Sequence, residues 1–66
     1  MEKNLLISKK KNGLVVMTLN RPLVHNALDE DLISRLLETL LKLRENSSIR
    51  VLLIEGAGDS FCAGGD

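Results

Sequence analysis

The stretch that decides the fold runs from Val51 to Asp66, VLLIEGAGDSFCAGGD, an aliphatic run that opens directly into a glycine-rich loop. Counted from Ile49 to Glu55, the run has the β-branched and aliphatic content of a buried strand. The loop after it presents backbone N–H groups in place of side chains. Gly64 and Gly65 permit close approach to a ligand and conformations with φ > 0. A helix beginning near Asp66 would add further unpaired N–H groups and the positive end of its dipole. Such a loop suits an anion or a polarised carbonyl oxygen, whereas its bland function is a tight strand-to-helix turn.

Upstream of the strand, Leu32, Ile33, Leu36, Leu37, Leu40, Leu41 and Leu43 recur at helical spacing and predict a helix from Asp29 to about Glu45. Asp29, Glu30 and Asp31 open it, and Lys42 and Arg44 close it, as the helix dipole favours. Asp31 with Arg35, and Glu38 with Lys42, have the i,i+4 order that supports a helix. Asn46-Ser47-Ser48 breaks it. Further upstream, Leu5-Leu6-Ile7 and Leu14 to Leu19 flank a lysine-rich turn ending in Asn12-Gly13, the signature of an antiparallel hairpin. Both alternating sets of the second strand are mostly apolar, so it is expected to be covered. Pro22 ends that strand and restricts Arg21.

Hairpin, helix and strand in this order predict an α/β fold in which Leu14–Leu19 and the last strand are parallel, joined by a right-handed crossover. Residues 1–66 make one small domain at most. One helix covers one sheet face, so an apolar face is expected to remain open.

Composition narrows the function. Nine basic and nine acidic residues give a formal net charge of zero, and Phe61 is the only aromatic, which argues against nucleic acid as a partner. Lys9-Lys10-Lys11 reads as a solvated turn. No apolar run approaches the ~18 residues of a membrane span. The single Cys62 and the absence of a signal-peptide pattern after Met1-Glu2-Lys3 predict a reducing, cytoplasmic setting.

The dinucleotide fingerprint G-x-G-x-x-G, started at Gly56, needs glycine where Phe61 stands, and a phosphate loop needs lysine and serine or threonine where Gly65 and Asp66 stand. Cys62 with His25 has the residue types of a nucleophile and base, but cysteine between Phe61 and Ala63 reads better as a small buried apolar residue. His25, Cys62, Asp59 and Asp66 lack metal-ligand spacing. Asn26 is expected to hydrogen-bond its own turn.

Four segments in order, TLNRP (Thr18 to Pro22), HNALDEDLI (His25 to Ile33), SSIRVLLIEGAG (Ser47 to Gly58) and SFCAGGD (Ser60 to Asp66), resemble the start of the enoyl-CoA hydratase/isomerase (crotonase) superfamily. The resemblance implies part of a spiral of ββα units, assembled in longer relatives as trimers or hexamers, acting on acyl-CoA thioesters through two backbone N–H groups that stabilise an enolate. Coenzyme A then belongs to the substrate, and no separate cofactor is implied. By position Gly65, where alanine is common, resembles the first oxyanion donor. Ala63 resembles the residue whose carbonyl meets the CoA adenine. His25 and Ala27 lie in the segment lining the CoA path, and Gly65 and Asp66 complete the CoA-binding set.

The second oxyanion glycine and the acid and base glutamates of the family normally lie further along, and none of Glu2, Glu30, Glu38, Glu45 or Glu55 matches them. The chain is thus expected to be an N-terminal part of such an enzyme, inactive by itself. Within the superfamily, HNALDEDLI and GDSFCAGGD resemble methylglutaconyl-CoA hydratase, and IEGAG with FCAGGD resembles 3-hydroxyisobutyryl-CoA hydrolase. A non-catalytic relic or interaction module is the alternative of a different class.

Overall fold

The computed structural model describes residues 4–65. In chain order these form β1 (Leu5–Lys9), β2 (Leu14–Leu19), α1 (Glu30–Leu43) and β3 (Val51–Gly56), with short 3-10 turns at Lys11–Gly13 and Pro22–Val24. β2 is the central strand, antiparallel to β1 and parallel to β3. The predicted hairpin, helix and parallel strand are all present.

Asn12 and Gly13 turn the hairpin in the left-handed region, at φ 62° and 77°. Glycine is required at 13 for a second reason, because a Cβ there would stand 2.6 Å from the Ser48 carbonyl oxygen. The Gly13 carbonyl accepts from the Arg50 N–H at 2.8 Å, so the turn also seats the start of β3. Lys9, Lys10 and Lys11 are exposed, as a solvated turn requires.

Asp29 caps α1 by accepting from the Leu32 N–H at 2.8 Å, which satisfies one of the helix's orphan donors. Among the described residues Asp31 and Arg35 are the i,i+4 pair that closes, at 2.9 Å. That bond holds the Asp31 carboxyl below its ordinary range and raises Arg35 above its own. Past the helix, Asn46 Oδ1 accepts from the Ser48 N–H and from its hydroxyl, at 3.0 and 2.6 Å. The side chain replaces a backbone turn and stops the helix.

The core is small. Val15, Met17 and Leu19 on one face of β2 join Leu5 and Leu32, with Leu28, Leu36, Leu43, Ile49 and Cys62 partly buried around them. The opposite face of β2 is only half covered. The leucine stripe of α1 is wider than its contact: Leu32 alone is fully buried, while Ile33, Leu37, Leu40 and Leu41 are exposed.

β3 corrects an expectation. Its run reads as a buried strand, yet Val51, Leu52, Leu53 and Ile54 are between 36% and 56% exposed. It lies at the edge of the sheet, and α1 packs toward β1 and the middle. Leu52 and Ile54, in register with the buried Val15 and Met17, are the less exposed pair, and Val51 and Leu53 on the other face are the more exposed. An aliphatic run reports what a strand prefers, not what stands over it.

Candidate functional site

The loop following β3 is held against the loop following β2, and one buried side chain makes two of the bonds between them. Asn26 is fully buried. Its Nδ2 donates to the carbonyls of Ala57 and Ser60 at 2.9 and 2.8 Å, and its Oδ1 accepts from the Arg21 N–H at 2.8 Å. The expectation of purely local bonding is corrected here. The Arg21 bond is local, but two of the three bonds cross to a segment more than thirty residues away, because His25 and Asn26 both adopt left-handed backbone, at φ 53° and 58°. Asn tolerates that conformation better than most side chains.

Arg21 secures the same turn from outside. Its guanidinium donates to the Ala27 carbonyl and pairs with Asp29 at 3.3 Å, joining the turn to the helix cap. Gly56 faces Asn26 across the contact. A Cβ at 56 would collide with the carbonyls of Ser60 and Phe61 and with Asn26 Nδ2, so β3 must end in glycine for the loops to meet.

Of the predicted site residues, His25 is exposed, with Nδ1 3.1 Å from Ser60 Oγ. Its partner is thus Ser60 and not Cys62. Cys62 is half-buried against the core, and its Sγ accepts from the Gly64 N–H at 3.4 Å. That is more open than a buried apolar cysteine, but the neighbours are the apolar ones expected. Ala27 is buried and Ala63 exposed. Asp66 lies outside the described residues.

Gly65 pairs with Leu28 in a parallel bridge, and the Leu28 N–H donates to the Gly64 carbonyl at 2.8 Å. The bridge sets Gly65 beside the segment that carries His25 and Ala27. Among the described residues the Gly65 N–H has no acceptor, and the residue is exposed. The two glycines differ: Gly64 has φ 102°, which disfavours any side chain, whereas at Gly65 a Cβ would meet nothing within 4 Å.

A depression of about 280 Å³ is lined by Asn4, Asn20, Arg21, Pro22, Leu23 and Val24, none of them a predicted site residue. Among the described residues no three of His, Cys, Asp and Glu cluster to hold a metal, and no helix is long and apolar enough to cross a membrane. Sequence reading passed over Arg21, Gly56 and Ser60. Arg21 before proline and Gly56 at a strand end were the available signals, but their partners are set by tertiary contact.

The sheet, helix and loop together are part of a crotonase-like fold. They superpose on an enoyl-CoA hydratase from Mycobacterium smegmatis with a TM-score of 0.96 and 40% identity, over 98% of this chain and 25% of that one. The Enoyl-CoA hydratase/isomerase family profile matches residues 9–66, and the chain belongs to that family. Two relatives are 41% identical over 61 residues, or 92% of this chain: 3-hydroxyisobutyryl-CoA hydrolase 1 of Arabidopsis thaliana and small ribosomal subunit protein mS47 of Schizosaccharomyces pombe. The chain spans 16% and 14% of their lengths.

Proposed function

We propose that the chain forms the N-terminal part of an enoyl-CoA hydratase/isomerase-like enzyme acting on acyl-CoA thioesters, with the Gly65 N–H as one of two donors to the thioester oxygen. The observation that supports this role is the Gly65 N–H, without an acceptor among the described residues, beside the Leu28 bridge. When a base removes a proton next to a thioester carbonyl, or water adds across the conjugated double bond, negative charge gathers on the carbonyl oxygen. A fixed N–H aimed at that oxygen stabilises the charge without reorganising, and losing one such donor typically costs ~10²–10³ in rate.

His25, Ala27, Ala63 and Asp66 are assigned to the CoA portion of the substrate. The support is positional: the Gly65 bridge and the contact between His25 and Ser60 draw these segments together. Trimeric or hexameric assembly of the whole protein and a reducing, cytoplasmic setting belong to the same proposal, the latter resting on the single Cys62. The acyl group is left between a methylglutaconyl-CoA-like substrate and a 3-hydroxyisobutyryl-CoA-like one, and the Arabidopsis relative supports the second.

A non-catalytic reading has one observation behind it, the equal identity to a protein named for a ribosomal subunit. The 66-residue polypeptide alone is expected to leave crotonyl-CoA unchanged. Hydration needs positioned proton donors and acceptors, whereas Glu30, Glu38, Glu45 and Glu55 lie exposed on α1, just past it and on the edge strand.

The test is a chimera in which residues 4–65 replace the superposed quarter of the M. smegmatis hydratase. Its Gly65→Pro variant loses the donor and is expected to lose at least ~10² in kcat. Gly65→Ala keeps the N–H, meets open space and is expected to stay within about threefold, well under 1.4 kcal/mol of barrier. A folded, CoA-binding chimera that is inactive, or a Gly65→Pro variant as active as its parent, would overturn the proposal.

A further inference from the structure

We infer that Asn26 is a positioning residue for the oxyanion loop, fixing where the Gly65 donor stands relative to the CoA-lining segment. The inference rests on the oxyanion role proposed for Gly65.

Three observations converge on it. Asn26 is a fully buried polar side chain, and both of its polar atoms are satisfied by backbone groups on two different loops. Such a group is costly to bury unless every bond is made. Its backbone is left-handed, and so is that of His25 before it, so the turn is held in a conformation that its neighbours must enforce. Finally, Gly56 is packed against Asn26 Nδ2 and the Ser60 and Phe61 carbonyls with no room for a Cβ. Change on either side of the contact pushes the loops apart.

The bonds to Ala57 and Ser60 bracket the first half of the loop, and the Leu28 bridge holds the second half at Gly65. Asn26 lies two residues before Leu28, so one short turn carries both attachments. A shift of the turn therefore moves the donor and the CoA-lining residues relative to each other. Transition-state stabilisation is sensitive to such placement, since a misplacement of about 1 Å costs on the order of 10²-fold. Loss of the clasp should thus fall on kcat more than on CoA affinity. Stabilising the fold is the plainer role for Asn26, and it predicts no such split once the protein is folded.

The experiment uses the same chimera. Asn26→Asp keeps the acceptor for Arg21 but loses both donors, and sets a carboxylate oxygen against two carbonyls. At neutral pH its kcat is expected to fall at least thirtyfold with the CoA dissociation constant within threefold. Lowering the pH protonates the carboxyl and returns one O–H donor, so the deficit relative to the parent should narrow. A folded Asn26→Asp variant with kcat within threefold of its parent would overturn the inference. So would a loss confined to CoA binding.

If the variant does not fold, the parent chimera decides: the Asn26 side-chain amide protons should exchange with solvent far more slowly than those of the exposed Asn12. Equal rates would overturn the clasp. Gly65→Pro in the same chimera separates the two proposals. If it is inactive while Asn26→Asp is fully active, the oxyanion role stands and the positioning role falls.

Discussion

At the scale of single residues, the glycines divide by the physical demand made on them. Gly56 is constrained by space, Gly64 by its backbone angle of 102°, and Gly65 by neither. Gly56→Ala in the chimera is therefore expected to destabilise by about 1–3 kcal/mol, as forced overpacking does, read as a lower urea midpoint. Gly65→Ala should leave the midpoint unmoved. Equal midpoints for the two variants would contradict the packing described at Gly56. Cys62→Ala is expected to change kcat by less than about tenfold, or 1.4 kcal/mol, because Cys62 packs on the core and its Sγ accepts from the Gly64 N–H. Complete loss of activity with fold and CoA binding intact would indicate a covalent thiol instead. The loop's glycines were legible in the sequence because glycine is informative by its own backbone freedom. The three bonds of Asn26 were not, since a residue's type shows that it needs partners but not which segment supplies them.

At the scale of elements, α1 was the easiest to read, because its cap, dipole charges and apolar spacing all agree. Asp29 performs two tasks there, capping Leu32 and pairing with Arg21. Asp29→Ala is expected to cost about 0.5–2 kcal/mol in the chimera, while Asp29→Ser retains a capping oxygen and should recover most of it. Equal losses would mean that the Arg21 pair and not the cap matters. The Asp31 contribution carries a definite pH sign. Its folded carboxyl is held below the unfolded value, chiefly by the bond from Arg35. The stabilisation is therefore present above the unfolded pKa, about 3.9, and is lost as pH falls through the folded value. The effect is small, because both side chains are about half exposed. An NMR titration of Asp31 with a midpoint below the ordinary aspartate range is the check, and an ordinary midpoint would contradict the pairing. The hairpin and the parallel direction of β2 and β3 were also legible, from hairpin, helix and strand in succession. The exposure of β3 was not, because periodicity describes the strand and burial depends on its neighbours.

At the scale of the whole molecule, the described residues build a core cluster of five buried apolar side chains and leave apolar residues exposed on α1, on β3 and at Phe61. Small domains are marginal even with better cover, so the isolated polypeptide is expected to unfold with less than about 5 kcal/mol. A cooperative, monomeric urea transition above that value would contradict the estimate of its core. The proposed function turns, at this scale, on the Gly65 N–H as one of two donors to the thioester oxygen. The most direct measurement is a crystal structure of the active chimera with a 3-ketoacyl-CoA, whose enolate resembles the charge that develops during turnover. The Gly65 nitrogen is predicted to stand about 2.7–3.1 Å from the thioester oxygen. A thioester oxygen bound by other donors, with Gly65 beyond hydrogen-bond reach, would contradict the assignment.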